Sequence, residues 1–157
     1  MTGQRMDGLV EKAAEWDAAC LTPVLMARSS LRLSGERAEK KRAHWQAVSN
    51  AACEQSGRNR LLDVREQLTF QEYFRNATNA TPARWVLSLA PDARPVAGCA
   101  AALSPTDDVT MVSGPEGGLS SEEDAAARAA GWQPITLGAR VLRAETGTLA
   151  VLARLTL

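Results

Sequence analysis

Two short segments carry residue types and spacings that can do chemistry. The first is Ser113-Gly114-Pro115-Glu116-Gly117-Gly118. Its glycines leave backbone amides and carbonyls unshielded, so a ligand can approach the chain closely. The spacing is neither GxxxxGK nor GxGxxG, so diphosphate binding is poorly supported, and Glu116 would repel phosphate. A ligand with cationic or hydrogen-bond-donor groups fits better. A tight strand-to-helix turn that needs glycine for positive φ accounts for the same residues equally well. The second segment is Leu137-Gly138-Ala139-Arg140-Val141-Leu142-Arg143-Ala144-Glu145-Thr146, where two arginines flank apolar residues and an acid opens a helix. Glu145 suits a first turn because it complements the helix dipole. Arg140 and Arg143 read either as surface charges or as site residues. A single histidine, His44, and the absence of a CxxC pair argue against a zinc site.

The pattern around these segments places them. Met6, Leu9, Val10, Ala13 and Trp16 recur at helical spacing, which predicts a helix over about Arg5–Trp16. Ala18–Met26 reads as a strand, with Pro23 marking an end or an edge. Glu36–Gln55 is the longest helical pattern, carries Trp45, Val48 and Ala52 on one stripe, and stops at Gly57. Leu68–Arg75 predicts a short helix, and Asn76–Pro82 (NATNATP) a loop. Further on, Arg84–Ala90, Val109–Ser113 and Gln133–Leu137 read as strands. Ser120–Ala130 reads as a helix opened by a Ser120/Glu123 capping box and closed by Gly131, and Glu145–Leu155 as a last helix. Alternating strands and helices indicate an α/β domain with a mostly parallel sheet flanked by helices. Ligands in such sheets sit beyond the C-terminal ends of strands, where Ser88–Pro91, Ser113–Ser120 and Leu137–Glu145 fall.

The 157 residues, 45% hydrophobic and 23% charged, suit one globular domain. No apolar run reaches the roughly 18 residues of a membrane span, and Met1–Glu15 does not read as a signal peptide. Three widely spaced cysteines, Cys20, Cys53 and Cys99, fit reduced thiols in a cytosol. Net charge is zero but unevenly spread. Arg28, Arg32, Arg37, Lys40, Lys41, Arg42, Arg58 and Arg60 outweigh Glu36, Glu39 and Glu54 between positions 28 and 60. Positions 101–130 are correspondingly acidic. The basic stretch reads as a solvated helix face or as a phosphate-binding face.

Four pieces occur in an order that is specific to one family: RMDGLVEKAAEW…LTPVLMARSS, AACEQSGRNRLLDV, GPEGGLSSEE and LGARVLRAET. On them the chain resembles the 16S ribosomal RNA uridine N3-methyltransferases of the SPOUT superfamily, over nearly all of Gln4–Leu155. The resemblance implies an S-adenosyl-L-methionine-dependent enzyme that methylates N3 of a uridine in the decoding region of the small subunit. It also implies a C-terminal trefoil knot over about residues 84–157, a homodimer, no metal and a cytoplasmic location. The cofactor would be held by Leu87, Ser88 and Leu89, then by Gly114, Pro115, Glu116, Gly117 and Gly118, then by Leu137, Gly138, Arg140, Val141, Leu142 and Arg143. Arg58, Glu116, Arg140 and Arg143 become the catalytic candidates. Arg28, Lys40, Lys41, Arg42, Gln55 and Arg58 become the RNA-facing ones.

Two departures from the family pattern carry expectations of their own. Members usually have an N-terminal PUA-like RNA-binding domain. Residues 1–157 correspond to the methyltransferase domain alone, so that domain is expected to be absent and RNA affinity to be weaker. Glu15-Trp16-Asp17 stands where the family tends to have Glu-Leu-Gly. Asp17 takes positive φ less cheaply than glycine, so the end of the first helix is expected to change locally. Leu149, Leu152 and Leu155 form an apolar stripe on the last helix that suits a dimer face. The rival readings are a SPOUT enzyme for another RNA, such as a tRNA, and a non-catalytic module that binds cofactor or RNA.

Overall fold

In a computed structural model, residues 3–30, 32–76 and 83–157 are described. All but the first residue of the expected Asn76–Pro82 loop lies outside them. The N-terminal half comprises α1 (Gly3–Glu15), β1 (Cys20–Leu21), β2 (Val24–Leu25), α2 (Gly35–Ser56), β3 (Asp63–Val64), β4 (Leu68–Thr69) and α3 (Phe70–Asn76). The expected single strand over 18–26 is thus two dipeptides separated by Thr22-Pro23. Proline has no N–H to continue a ladder. Each fragment finds its own parallel partner, β1 with β3 and β2 with β4.

The C-terminal half comprises β5 (Ala83–Leu87), β6 (Arg94–Pro95), α4 (Val96–Ala101), β7 (Val109–Val112), α5 (Ser121–Ala129), β8 (Gln133–Thr136) and α6 (Ala144–Thr156). Its four strands form one parallel sheet in the order β6-β8-β5-β7. β6 and α4 went unread in the sequence. The strand is two residues long and the helix six, too short to show a period.

Apolar side chains gather in three clusters. Met6, Leu9, Val10, Ala13 and Ala14 of α1 pack on Trp45, Ala52 and Cys53 of α2 and on Leu62 and Val64. Trp85, Ile135 and Val151 centre the second cluster. Val86, Val112, Met26, Ala127 and Trp132 form the third, which extends to stacked Phe70 and Phe74. The stripe on α6 is partly covered inside the chain. Leu149 and Leu152 pack against the α1–α2 cluster and Leu155 against the second, so the stripe does not itself require a partner subunit.

Helix ends follow their residues. Gly57 closes α2 at φ 70°, and its N–H donates to the carbonyls of the last turn. Ser120 and Glu123 form a reciprocal capping box at α5. Glu123 does more than cap. It is only 7% exposed, its Oε2 accepts from Ser120 N at 2.9 Å, and its Oε1 accepts from Ala27 N at 2.8 Å, which joins the two halves of the chain. Among the described residues no helix is long and apolar enough to cross a membrane.

Ser120→Ala removes one cap bond and should cost about 1 kcal/mol. Glu123→Ala removes the acceptor of two backbone N–H groups, those of Ala27 and Ser120, and should cost more, about 1.5–3 kcal/mol per lost bond to the charged group. Urea unfolding of the two variants checks the order; equal midpoints would contradict the tie between the halves.

Candidate functional site

Parallel strands all release their chain at the same edge of the sheet, so the segments after β5, β7 and β8 converge. Between them lies a cleft lined by Leu87, Ser88 and Leu89, by Ser113–Glu116 with Gly118 and Leu119, and by Thr136–Gly138 with Arg140–Ala144 and Gly147. It collects every cofactor-site residue expected from sequence except Gly117, together with three of the four catalytic candidates: Glu116, Arg140 and Arg143.

Each wall is held by identifiable bonds. Ser88 N donates to Ile135 O at 2.9 Å, which ties the first wall to β8, and Ala90 N donates to Ser88 Oγ. Just beyond, Arg128 of α5 donates to both carboxylate oxygens of Asp92 and to Asp124. That hydrogen bonding holds the Asp92 carboxyl below its ordinary range. In the second wall Gly118 adopts φ 69° and its N–H closes a turn on Pro115 O at 2.8 Å. In the third, Gly138 at φ 111° gives its N–H to Thr136 Oγ1 at 3.1 Å. At the start of α6 a close approach requires glycine. A β-carbon on Gly147 would meet Leu87 Cδ1 at 3.3 Å and Leu137 Cδ1 at 3.9 Å, both side chains of the cleft wall.

The cleft joins apolar faces from Leu87, Leu119, Leu137, Val141 and Leu142 to bare glycine backbone. Its charges sit at the rim, Glu116 on one segment and Arg140 and Arg143 on another. Arg5 of α1, unremarked in the sequence, places Nη1 3.4 Å from Glu116 Oε1 and Nε 3.6 Å from Glu145 Oε1, so it bridges the second wall and the first turn of α6. Only its helical register could have flagged it, because nothing local announces a partner 111 residues away. A flat heteroaromatic ring against the apolar faces, with a cationic group near Glu116, suits this arrangement. Ser120, Glu122 and Glu123 of α5 also line a second, wider cleft, shared with Met26, Arg32 and Phe70.

Several residues expected at the site lie apart from the cleft. Gly117 does not line the cleft. A β-carbon there would meet the stem of Arg28, 3.1 Å from Cδ, so this glycine serves a contact on the loop's other side. Arg58 is not among the lining residues either. Its side chain is only 9% exposed, Nη1 donates to Ala14 O at 2.8 Å, and Nη2 donates to Ala18 O at 2.7 Å. Its Nε lies 2.9 Å from Asp17 Oδ1, an ion pair not aligned as a hydrogen bond. Arg58 therefore staples the end of α1 to the end of α2. Asp17 indeed takes the left-handed conformation, at φ 63°, and its carboxylate meets that arginine. Gln55 is exposed near the same helix end. On α2, Lys40 and Arg42 are exposed and Lys41 half-buried, while Lys40 pairs with Glu36 at 2.6 Å. His44 Nε2 faces Asp7 Oδ2 at 3.0 Å, and Asp7 Oδ1 accepts from Trp45 Nε1, so the one histidine belongs to a helix–helix contact.

Comparison with known proteins agrees with this layout. A family model described as an RNA methyltransferase domain matches residues 1–156. Ribosomal RNA small subunit methyltransferase E of Bacillus subtilis (strain 168) is 28% identical over 154 residues, which is 96% of this chain and 60% of that protein. Its namesake in Synechocystis sp. is 29% identical over 98% of this chain and 49% of its own length. The chain thus spans about half to three-fifths of these relatives. Among solved structures, ribosomal RNA small subunit methyltransferase E from Neisseria gonorrhoeae bound to S-adenosyl methionine superposes with a TM-score of 0.84 at 31% identity, covering 98% of this chain and 60% of that one. A Legionella pneumophila protein in complex with the bound cofactor SAM gives 0.89 at 32% identity, covering 98% and 61%.

The geometry of Arg58 makes a stability prediction. Arg58→Ala leaves two carbonyls without their charged donor and should cost at least about 2 kcal/mol, by the usual worth of hydrogen bonds to charged groups. Chemical denaturation reads this directly; a variant as stable as the parent would exclude the staple.

Proposed function

The chain belongs to the RNA methyltransferase domain family, and on that basis we propose that it is an S-adenosyl-L-methionine-dependent methyltransferase acting on N3 of a uridine in the decoding region of 16S ribosomal RNA. The observation that carries the reading is the convergence of the GPEGG and LGARVLR segments with Leu87–Leu89 in one cleft at the strand ends. The residues fit the cofactor. Leucine and valine faces suit the adenine, the open backbone at Gly114, Gly118 and Gly138 suits close approach, and Glu116 offers a fixed negative charge to a sulfonium. When bound, S-adenosylmethionine supplies a methyl group activated by that positive sulfur.

The chain's own task is positional and electrostatic. Uracil N3 carries a proton between two carbonyls; methylation requires that proton to pass to solvent water and the resulting anion to be stabilised. Arg140 and Arg143, exposed at the cleft, are assigned to that anion. Glu116 is ion-paired with Arg5, and its assigned role is charge pairing with the cofactor. The exposed basic residues of α2, Lys40 and Arg42 with Lys41, are assigned to RNA phosphates, where they bind without reading sequence. Residues 1–157 act in this reading as one methyltransferase domain. We further infer a trefoil knot over about residues 84–157. β8, the last strand in the chain, is inserted between β5 and β6 and not added at an edge, which supports threading. The proposed setting is the cytoplasm, on the small ribosomal subunit.

A homodimer is also proposed. Leu89 is 67% exposed, Val141 77% and Leu142 40%, an apolar group at the cleft mouth that a second copy would cover. Sedimentation at micromolar concentration should give twice the 16.8 kDa chain mass; a stable monomer refutes it.

Calorimetry with S-adenosylmethionine and transfer of tritiated methyl to small subunits lacking the modification test the activity. Gly147→Val drives a branched side chain against Leu87 and Leu137 and should weaken cofactor binding about tenfold or more, the usual scale of overpacking. Reversing Lys40, Lys41 and Arg42 to Glu should lower RNA affinity and its salt dependence while calorimetry stays unchanged. Binding without transfer would leave a non-catalytic module, and transfer to tRNA alone would replace the substrate.

A further inference from the structure

Arg28 was grouped by charge with the RNA-facing residues, yet its side chain is engaged elsewhere. Nη1 donates to Gly117 O at 2.6 Å, a short bond between a charged donor and a backbone carbonyl. Its stem lies across the same residue. A β-carbon on Gly117 would stand 3.1 Å from Arg28 Cδ and 3.3 Å from its Cβ. Gly117 is not among the glycines with left-handed φ, so the backbone itself would accept alanine there. What crowds a side chain at 117 is the arginine.

The base of Arg28 is fixed as firmly as its tip. Ser29 N donates to Met26 O and Met26 N to Ser29 Oγ, both at 3.0 Å, which closes the turn that carries it. Ala27 N donates to the buried Glu123 carboxylate, whose other oxygen holds Ser120 N. A closed circuit results. It runs from Glu123 through Ala27 and Arg28 to Gly117, then along the chain through Ser120 back to Glu123. The stretch inside this circuit supplies Gly118 and Leu119 to the cleft, and Gly114, Pro115 and Glu116 lead directly into it. From α1, Arg5 grips the neighbouring residue, Glu116.

We infer that Arg28 is a positioning residue for the cofactor-binding loop: its guanidinium fixes the Gly117 carbonyl, its stem crowds a side chain there, and together they set the second wall of the cleft. The inference rests on the S-adenosylmethionine reading above and deepens it. Cofactor affinity is then controlled from the N-terminal half of the chain by a residue that does not line the cleft.

The test uses the full chain with Arg28→Ala, Arg28→Lys, Gly117→Ala and the Arg28→Ala/Gly117→Ala pair. Deuterium uptake of the 113–119 segment is read without ligand, S-adenosylmethionine affinity by calorimetry, and affinity for 16S RNA across a salt series. Arg28→Ala should speed uptake in that segment and weaken cofactor binding about tenfold, the scale of one hydrogen bond to a charged group. Arg28→Lys, which keeps the charge and part of the stem, should recover some of both. Gly117→Ala should weaken binding severalfold in the parent and clearly less once Arg28 is alanine, because the closest contact, with Cδ, has gone and only the one with Cβ remains. Unchanged uptake and cofactor affinity in Arg28→Ala, with loss of RNA affinity alone, would overturn the inference, as would independent, additive effects of the two substitutions. A parent chain that binds no S-adenosylmethionine overturns the cofactor reading and the role given to Arg28 in it. The exchange data need no ligand and separate that outcome from failure of the Arg28 contact itself.

Discussion

The parallel hydrogen-bond ladder about β5 is the constraint on which the rest depends. β5 takes β7 on one side, with Val86 opposite Val112, and β8 on the other, with Leu87 opposite Ile135. Parallel pairing forbids tight hairpins and sends each connection across the sheet before the next strand begins. Every strand therefore ends at one edge, and three segments scattered over some sixty residues arrive side by side. Strand interiors are apolar because helices cover the sheet: Trp85, Val86 and Ile135 are almost wholly buried. Chemistry is left to the loops, where glycines and rim charges do not disturb the ladder.

The N-terminal half acts as a brace against those loops. Glu123 is buried and ionisable, a costly combination unless its oxygens are satisfied. Here backbone donors from Ala27 and Ser120 satisfy it, and the same bonds fasten the turn after β2 to the start of α5. Arg28 and Arg5 continue that brace to Gly117 and Glu116. Exposed ion pairs such as Lys40–Glu36 add little to stability. The distinction between arginines spent inside the chain and those left to solvent matters more than their sum.

Arg58 shows how one substitution redistributes work. Where glycine would turn the chain freely after α1, Asp17 adopts the left-handed region, a conformation that costs a non-glycine residue about 1–3 kcal/mol. Its carboxylate lies beside the Arg58 guanidinium, which also takes the carbonyls of Ala14 and Ala18. The turn is thus secured from the end of α2 instead of by backbone freedom.

Local chemistry was legible in the amino-acid order alone. The capping box of α5, the Gly57 stop of α2, the periodic α1 and α6, and the strands β5, β7 and β8 are each written within a few consecutive residues. Their alternation was enough to place Leu87–Leu89, the GPEGG segment and the LGARVLR segment beyond strand ends. Pairings across long separations were not legible, since a side chain's type does not name its partner. Arg28 and Arg58 read as members of a basic stretch until the fold set one on Gly117 and the other on the end of α1. The leucines of α6 read as a free apolar face until the fold packed them, in part, against the α1–α2 cluster and the sheet. The fragments β6 and α4 were too short to carry a period; β6 exists because β8 accepts its backbone, and α4 because Val96 and Cys99 are buried in the second cluster. Composition and spacing determined which segments could bind; only tertiary packing decided which charges remained to do so, because burial and distance, not sequence proximity, decide where a charge is spent.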